Sequence, residues 1–141
     1  MNKKAIKIIA VLFLGFITIA ANARSNTLYP NVSEESVDSY CAASSSSPYR
    51  SGSTVYGTGG LYCTQTVGQI RVVVQVRDRN SLNGPIIRQT TPAKEKICYN
   101  TSSCSITADL SYIGGRYYDT ATSGYFGLQS SYDQSNQVYI P

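Results

Sequence analysis

Four cysteines, eight carboxylates and a spaced set of arginines carry most of the chemistry this chain could offer, because it contains neither histidine nor tryptophan. Cys41, Cys63, Cys98 and Cys104 could act as thiolate nucleophiles or zinc ligands. They lack a close C-x-x-C pair and a histidine partner, so no metal site and no cofactor are expected. An even count in an exported chain reads as two disulfides, for which three connectivities exist. Chain order favours Cys41–Cys63 and Cys98–Cys104. For the second pair, residues 97–99 and 104–106 look like strand ends around the polar tip 100–103. The two sulfurs would then face each other across a hairpin.

Catalysis has few tools. Without histidine, neither a Ser-His-Asp nor a Cys-His arrangement can form, and no G-x-S-x-G elbow is present. Glu34, Glu35, Asp38, Glu95, Asp109, Asp119 and Asp133 could supply a glycosidase pair, but they read as solvated surface carboxylates. The glycines at 57, 59 and 60 read as a turn into a strand rather than a phosphate loop. The oxygen-rich turn Asp78–Gly84 lacks the spacing and terminal glutamate of a calcium loop. The expectation is a protein without catalytic residues.

Binding chemistry is better represented. Arg71, Arg77 and Arg79 share strand parity, with Gln69 and Gln75 between them and Val73 in the middle. They could form a cationic strip for an anionic glycan or an acidic protein, or simply a solvated, charge-protected strand face. Six of the 12 tyrosines, Tyr112, Tyr117, Tyr118, Tyr125, Tyr132 and Tyr139, crowd residues 112–139. Tyr117, Tyr118 and Tyr125 are candidates for a contact surface, although tyrosine also serves as sheet and core material. Tyr117 and Tyr118 point to opposite faces, so at most one of them faces the core.

The elements that must position these residues begin with an export signal. Lys3, Lys4 and Lys7 precede an apolar run from Ile8 to Ala20 and the small-residue exit Ala21-Asn22-Ala23. Residues 1–23 therefore read as a signal peptide, lysine-rich in the bacterial manner. Cleavage would leave a chain from Arg24 with no transmembrane anchor, secreted or periplasmic. The whole sequence carries net charge +4, but its three signal lysines leave 9 basic against 8 acidic residues. Near-neutrality argues against a nucleic-acid partner. About 118 residues remain, enough for one domain.

Within that domain, 24–60 reads as a polar segment with loops at 44–48 and 57–60. One short helix could start at Asn31, with Glu34 completing a capping box. Residues 61–141 hold the main strands. Ile70, Val72, Val74 and Val76 alternate with polar residues from Gln69 to Arg79, the clearest strand in the sequence. Asn80–Gly84 is a turn and 85–90 a returning strand. Ile106, Ala108, Leu110 and Tyr112 share a face, Gly114-Gly115 turns, and 116–122, 125–129 and 137–140 are further strands. Short strands and frequent turns indicate an all-β sandwich or barrel. Disulfides and tyrosine packing would support its thin core.

The segment Cys98-Tyr99-Asn100-Thr101-Ser102-Ser103-Cys104, the alternating strand after it, and Tyr112-Ile113-Gly114-Gly115-Arg116-Tyr117 resemble a pattern in small secreted bacterial proteins. Those proteins are similar to immunoglobulin-like β-sandwiches, and the resemblance spans roughly residues 68–127. It implies a single disulfide-stabilised β-sandwich outside the cytoplasm and carries over no catalytic or binding residue. The function expected is a secreted, non-catalytic module that contacts an extracellular protein or glycan. A secreted inhibitor or toxin-like effector is the alternative, and a small hydrolase the third reading.

Overall fold

A computed structural model describes residues 39–141. The signal segment and the short helix expected from Asn31 lie outside the described residues. Those residues are all-β. Eight strands follow one another: β1 (Cys41–Ser45), β2 (Tyr49–Ser51), β3 (Thr54–Arg79), β4 (Arg88–Gln89), β5 (Lys94–Ser111), β6 (Arg116–Phe126), β7 (Gln129–Gln134) and β8 (Val138–Ile140).

β3 organises everything else. Its 26 residues would span about 85 Å if straight, at about 3.3 Å per residue. It bends instead, at a register break between Tyr62 and Val67 that β5 matches between Ser103 and Thr101. The first half of β3 pairs with residues 103–111 of β5, and the second half with 94–101. On its other edge it pairs with β2 and β1 before the bend and with β6 after it. All eight strands thus belong to one sheet, curled into a half-barrel with two arms.

The inner surface of the curl is the core. Val55, Leu61, Ile70, Val72, Val74, Val76, Ala108 and Tyr118 are completely buried, and Phe126 nearly so. Full burial of each valine contributes about 1.5 kcal/mol or more, which is why the alternation from Gln69 to Arg79 is so legible. The arms close on one another through polar as well as apolar contacts. Ser45 N–H donates to Asp133 Oδ2 at 2.6 Å, Ala43 N–H to Ser131 Oγ at 2.9 Å, and Ser45 Oγ to Thr122 Oγ1 at 2.8 Å.

Three expectations need correction. Residues 57–60 are not a loop; they lie within β3, where the other arm presses against Gly57 and Gly59. A Cβ on Gly59 would meet Thr122 Oγ1 at 2.0 Å and Val74 Cγ2 at 2.7 Å, so glycine is what lets β6 approach. Residues 98–104 are not a hairpin either. Cys98 and Cys104 belong to the same strand, and 100–103 is the corner at which β5 bends, with Asn100 at φ 49°. Both expected disulfides are formed, Cys41–Cys63 between register partners of β1 and β3, and Cys98–Cys104 across that corner. Finally, 125–129 is not a strand: β6 runs to Phe126, and β7 returns from Gln129 after a turn through Gly127. Of residues 85–90, only Arg88 and Gln89 pair as strand.

Among the described strands, β5 pairs with β3 alone, so no strand lies along its second edge. Lys94 and Lys96 are register partners of Val74 and Val72, so they share the inner face at that edge. Their ammonium groups cross the mouth of the curl. Lys94 Nζ lies 3.2 Å from Asp109 Oδ1, and Lys96 Nζ donates to Ser105 O at 3.2 Å. Inward-pointing charge of this kind discourages a stray strand from extending a sheet.

Candidate functional site

Period two assigns the outer face of the second arm. In an antiparallel sheet, register partners share a face, so β5 contributes Glu95, Ile97 and Tyr99, and β3 contributes Gln69, Arg71, Val73, Gln75, Arg77 and Arg79. β6 adds Tyr117, Asp119, Ala121, Ser123 and Tyr125, β7 adds Tyr132 and Gln134, and β8 adds Tyr139. The arginine strip therefore exists as the parity reading requires. Its members differ sharply in environment.

Arg71 is at the exposed end. Its Nε and Nη2 donate to Glu95 Oε1 and Oε2, each at 2.9 Å, and its guanidinium lies 5.3 Å from the centre of the Tyr125 ring. The hydrogen bonds from Arg71 hold the Glu95 carboxyl below the usual carboxylate range, and the same bonds raise Arg71 above its ordinary value. Ile97, Tyr99 and Tyr125 stand exposed around this pair.

Arg77 and Arg79 are at the covered end. Arg77 Nε donates to Asp119 Oδ1 at 2.6 Å and Nη1 to the Tyr132 hydroxyl at 3.3 Å. Arg79 Nε donates to Asp119 Oδ2 at 3.0 Å, and its Nη1 to the carbonyl of Gly84. Asp119 has no exposed surface. The turn after β3 folds back here, tied down by Asn83 N–H donating to Gln137 Oε1 at 2.8 Å. Asp119 is thus a correction: it is a buried anchor for two arginines, and not a solvated carboxylate. Arg77, 8% exposed, is likewise a covered residue rather than an open surface charge.

Tyr118 leaves the candidate surface altogether. It is completely buried on the inner face, where its hydroxyl donates to Ile113 O at 2.9 Å and accepts from Ile113 N–H at 2.8 Å. Tyr117 stays on the outer face, tilted against Tyr139 with ring centres 5.2 Å apart. Ile97, Tyr99, Tyr132 and Tyr139 join the face without having been singled out as site residues. The signal that could have found Ile97 and Tyr99 was the parity of a strand running through 94–99, which the hairpin reading interrupted.

Of the remaining carboxylates, Glu34, Glu35 and Asp38 lie outside the described residues. Asp78 lies on the inner face and accepts from Arg88 Nε at 2.8 Å and Arg116 Nη1 at 3.4 Å, so its carboxylate does not line an open turn. Among the described residues, no group of three or more His, Cys, Asp or Glu side chains is placed to hold a metal ion. No helix among them is long and apolar enough to cross a membrane. A groove of ≈ 610 Å³ lined by Ile86, Ile87, Arg88, Gln89, Thr91 and Leu110 lies beside β4.

No family model matches this chain, and no curated protein matches it by sequence. Solved structures give distant likenesses. CsgH of R. palustris is 15% identical, with a TM-score of 0.43 over 70% of this chain and 91% of its own. The sporulation control protein Spo0M of Bacillus subtilis is 9% identical, with a TM-score of 0.40 over 71% of this chain and 49% of its own. The curli protein CsgC of E. coli is 12% identical, with a TM-score of 0.37 over 67% of this chain and 97% of its own.

Proposed function

We propose that this protein is a non-catalytic interaction module that binds another protein outside the cytoplasm through the outer face of its second arm. The observation that carries this reading is the exposed group formed by Arg71, Tyr125, Ile97 and Tyr99 on adjacent strands. Tyrosine and arginine dominate the energetics of protein contacts, since each combines large area with directed hydrogen bonds. The face also mixes charge, through Arg71 and Glu95, with apolar surface. That composition suits a protein partner better than a uniformly anionic polymer. Two disulfides support a place of action in an oxidising compartment. The immunoglobulin-like sandwich belongs to the same proposal, supported by the close approach of Gly59 and Gly124 to the opposite arm.

The test compares mature protein with an Arg71→Ala/Tyr125→Ala variant as bait against cell envelopes and culture supernatant. Wild type should retain a specific protein that the variant loses by at least tenfold. Equal recovery by both, or retention of a protease-resistant polysaccharide instead, would overturn the reading.

A further inference from the structure

At the covered end of the same face, two guanidinium groups share one carboxylate. The side chains of Arg77 and Arg79 are 10% and 11% exposed, and that of Asp119 is fully buried. One positive charge is left over in a place where water does little to stabilise it. Arg77 also keeps its Nη2 buried without a hydrogen-bond partner, whereas buried donors are almost always paired. On the inner face, Arg88 and Arg116 share Asp78 in the same two-to-one ratio. Four arginines therefore converge on two aspartates at this end of the sheet.

We infer that Arg77 and Arg79 form a subsite for a carboxylate presented by an acidic peptide segment of the partner. The inference rests on the protein-binding reading above and specifies what that partner brings. A single carboxylate matches the surplus of one charge. Its two oxygens also suit guanidinium N–H groups, which hold planar acceptors in a fork. Tyr132 controls access. It is 59% exposed, and its hydroxyl makes two long bonds, 3.3 Å from Arg77 Nη1 and 3.3 Å from Gln134 Oε1. Rotation of this exposed ring frees the guanidinium edge for an incoming side chain, and Tyr117 and Tyr139 flank the entrance on the same face.

The test follows the arginine Nε–Hε NMR signals of the mature protein during titration with a hexaglutamate peptide, with hexaglutamine as control. Hexaglutamate should shift the Arg77 and Arg79 signals saturably, and hexaglutamine should not. Arg77→Lys keeps a cation for Asp119 but lacks Nη2, and should weaken hexaglutamate binding at least tenfold. Tyr132→Phe removes the competing bond to Nη1 and should tighten binding several-fold, which keeps the inference testable if Arg77→Lys fails to fold. No saturable shift, equal binding by Arg77→Lys, or weakened binding by Tyr132→Phe would each overturn it. Tighter binding of trigalacturonate than of hexaglutamate would overturn the peptide assignment in favour of a uronic-acid polymer. The Arg71→Ala/Tyr125→Ala variant separates the two proposals. A saturable Arg77 response in wild type beside equal pull-down by wild type and this variant supports the carboxylate subsite alone, whereas a specific pull-down that this variant loses, with no Arg77 response in wild type, overturns this inference alone.

Discussion

Glu95 and Asp119 both bind arginine on the same face, yet they should behave differently when perturbed. Glu95 is open to water, and Arg71 lowers its folded pKa below the unfolded value. The contribution of this pair to stability is therefore present above the ordinary glutamate pKa, about 4.3, and is lost as pH falls through the lower folded value. A carboxyl ¹³C titration should place Glu95 below about 4.3, and Arg71→Ala should move it back up. Asp119 has no exposed surface and two cationic partners. Asp119→Asn leaves both guanidinium groups uncompensated and should cost about 3–5 kcal/mol in urea unfolding. The sequence disclosed the shared parity of the arginines, because parity is local. It did not disclose the burial of Asp119, which depends on the 80–84 turn folding back onto a strand some 35 residues later. For the same reason Tyr118 and Tyr117 could be assigned to opposite faces, but not to inside and outside.

Strand identity was readable where one face alternates cleanly, as from Ile70 to Val76, and obscure where packing demanded small residues. Gly57, Gly59 and Gly60 carry loop composition, but they sit inside β3, where the opposite arm leaves no room for a Cβ on Gly57 or Gly59. Gly59→Ala should accordingly destabilise the protein by about 1–3 kcal/mol. Gly68, with nothing within 4 Å of an added Cβ, makes the contrast. Gly68→Ala should leave stability within about 1 kcal/mol of wild type or raise it, by restricting the unfolded chain. Thermal melts of the two variants side by side check both. The polar run 100–103 misled because a corner and a hairpin tip draw on the same residues; only the distant register with β3 separates them. The second edge of β5 gives an element-scale prediction as well. Replacing Lys94 and Lys96 together with valine should produce concentration-dependent self-association in sedimentation velocity, since the inward charges that guard this edge are gone.

Across the whole molecule, both disulfides sit at the bend that creates the two arms. Cys63 enters the register break of β3, and Cys98 and Cys104 bracket the matching corner of β5. Their sequence separations are 22 and 6 residues. Chain entropy then assigns roughly 3 kcal/mol to Cys41–Cys63 and roughly 2 kcal/mol to Cys98–Cys104. Paired Cys→Ala variants, unfolded in urea, should rank in that order. The cysteine pairing was legible from order along the chain, while the curl was not, because it arises from one strand serving both arms. That strand also dictates how the molecule must come into being. The valine-rich stretch of β3 leaves the ribosome before residues 94–126, which will cover it on both edges, have been made. The second arm lacks a complete set of partners until β6 arrives, and pairings this distant in sequence form slowly. Completion of the second arm is therefore a late event. Until then, the most apolar strand of the sheet stands without the neighbours that bury it.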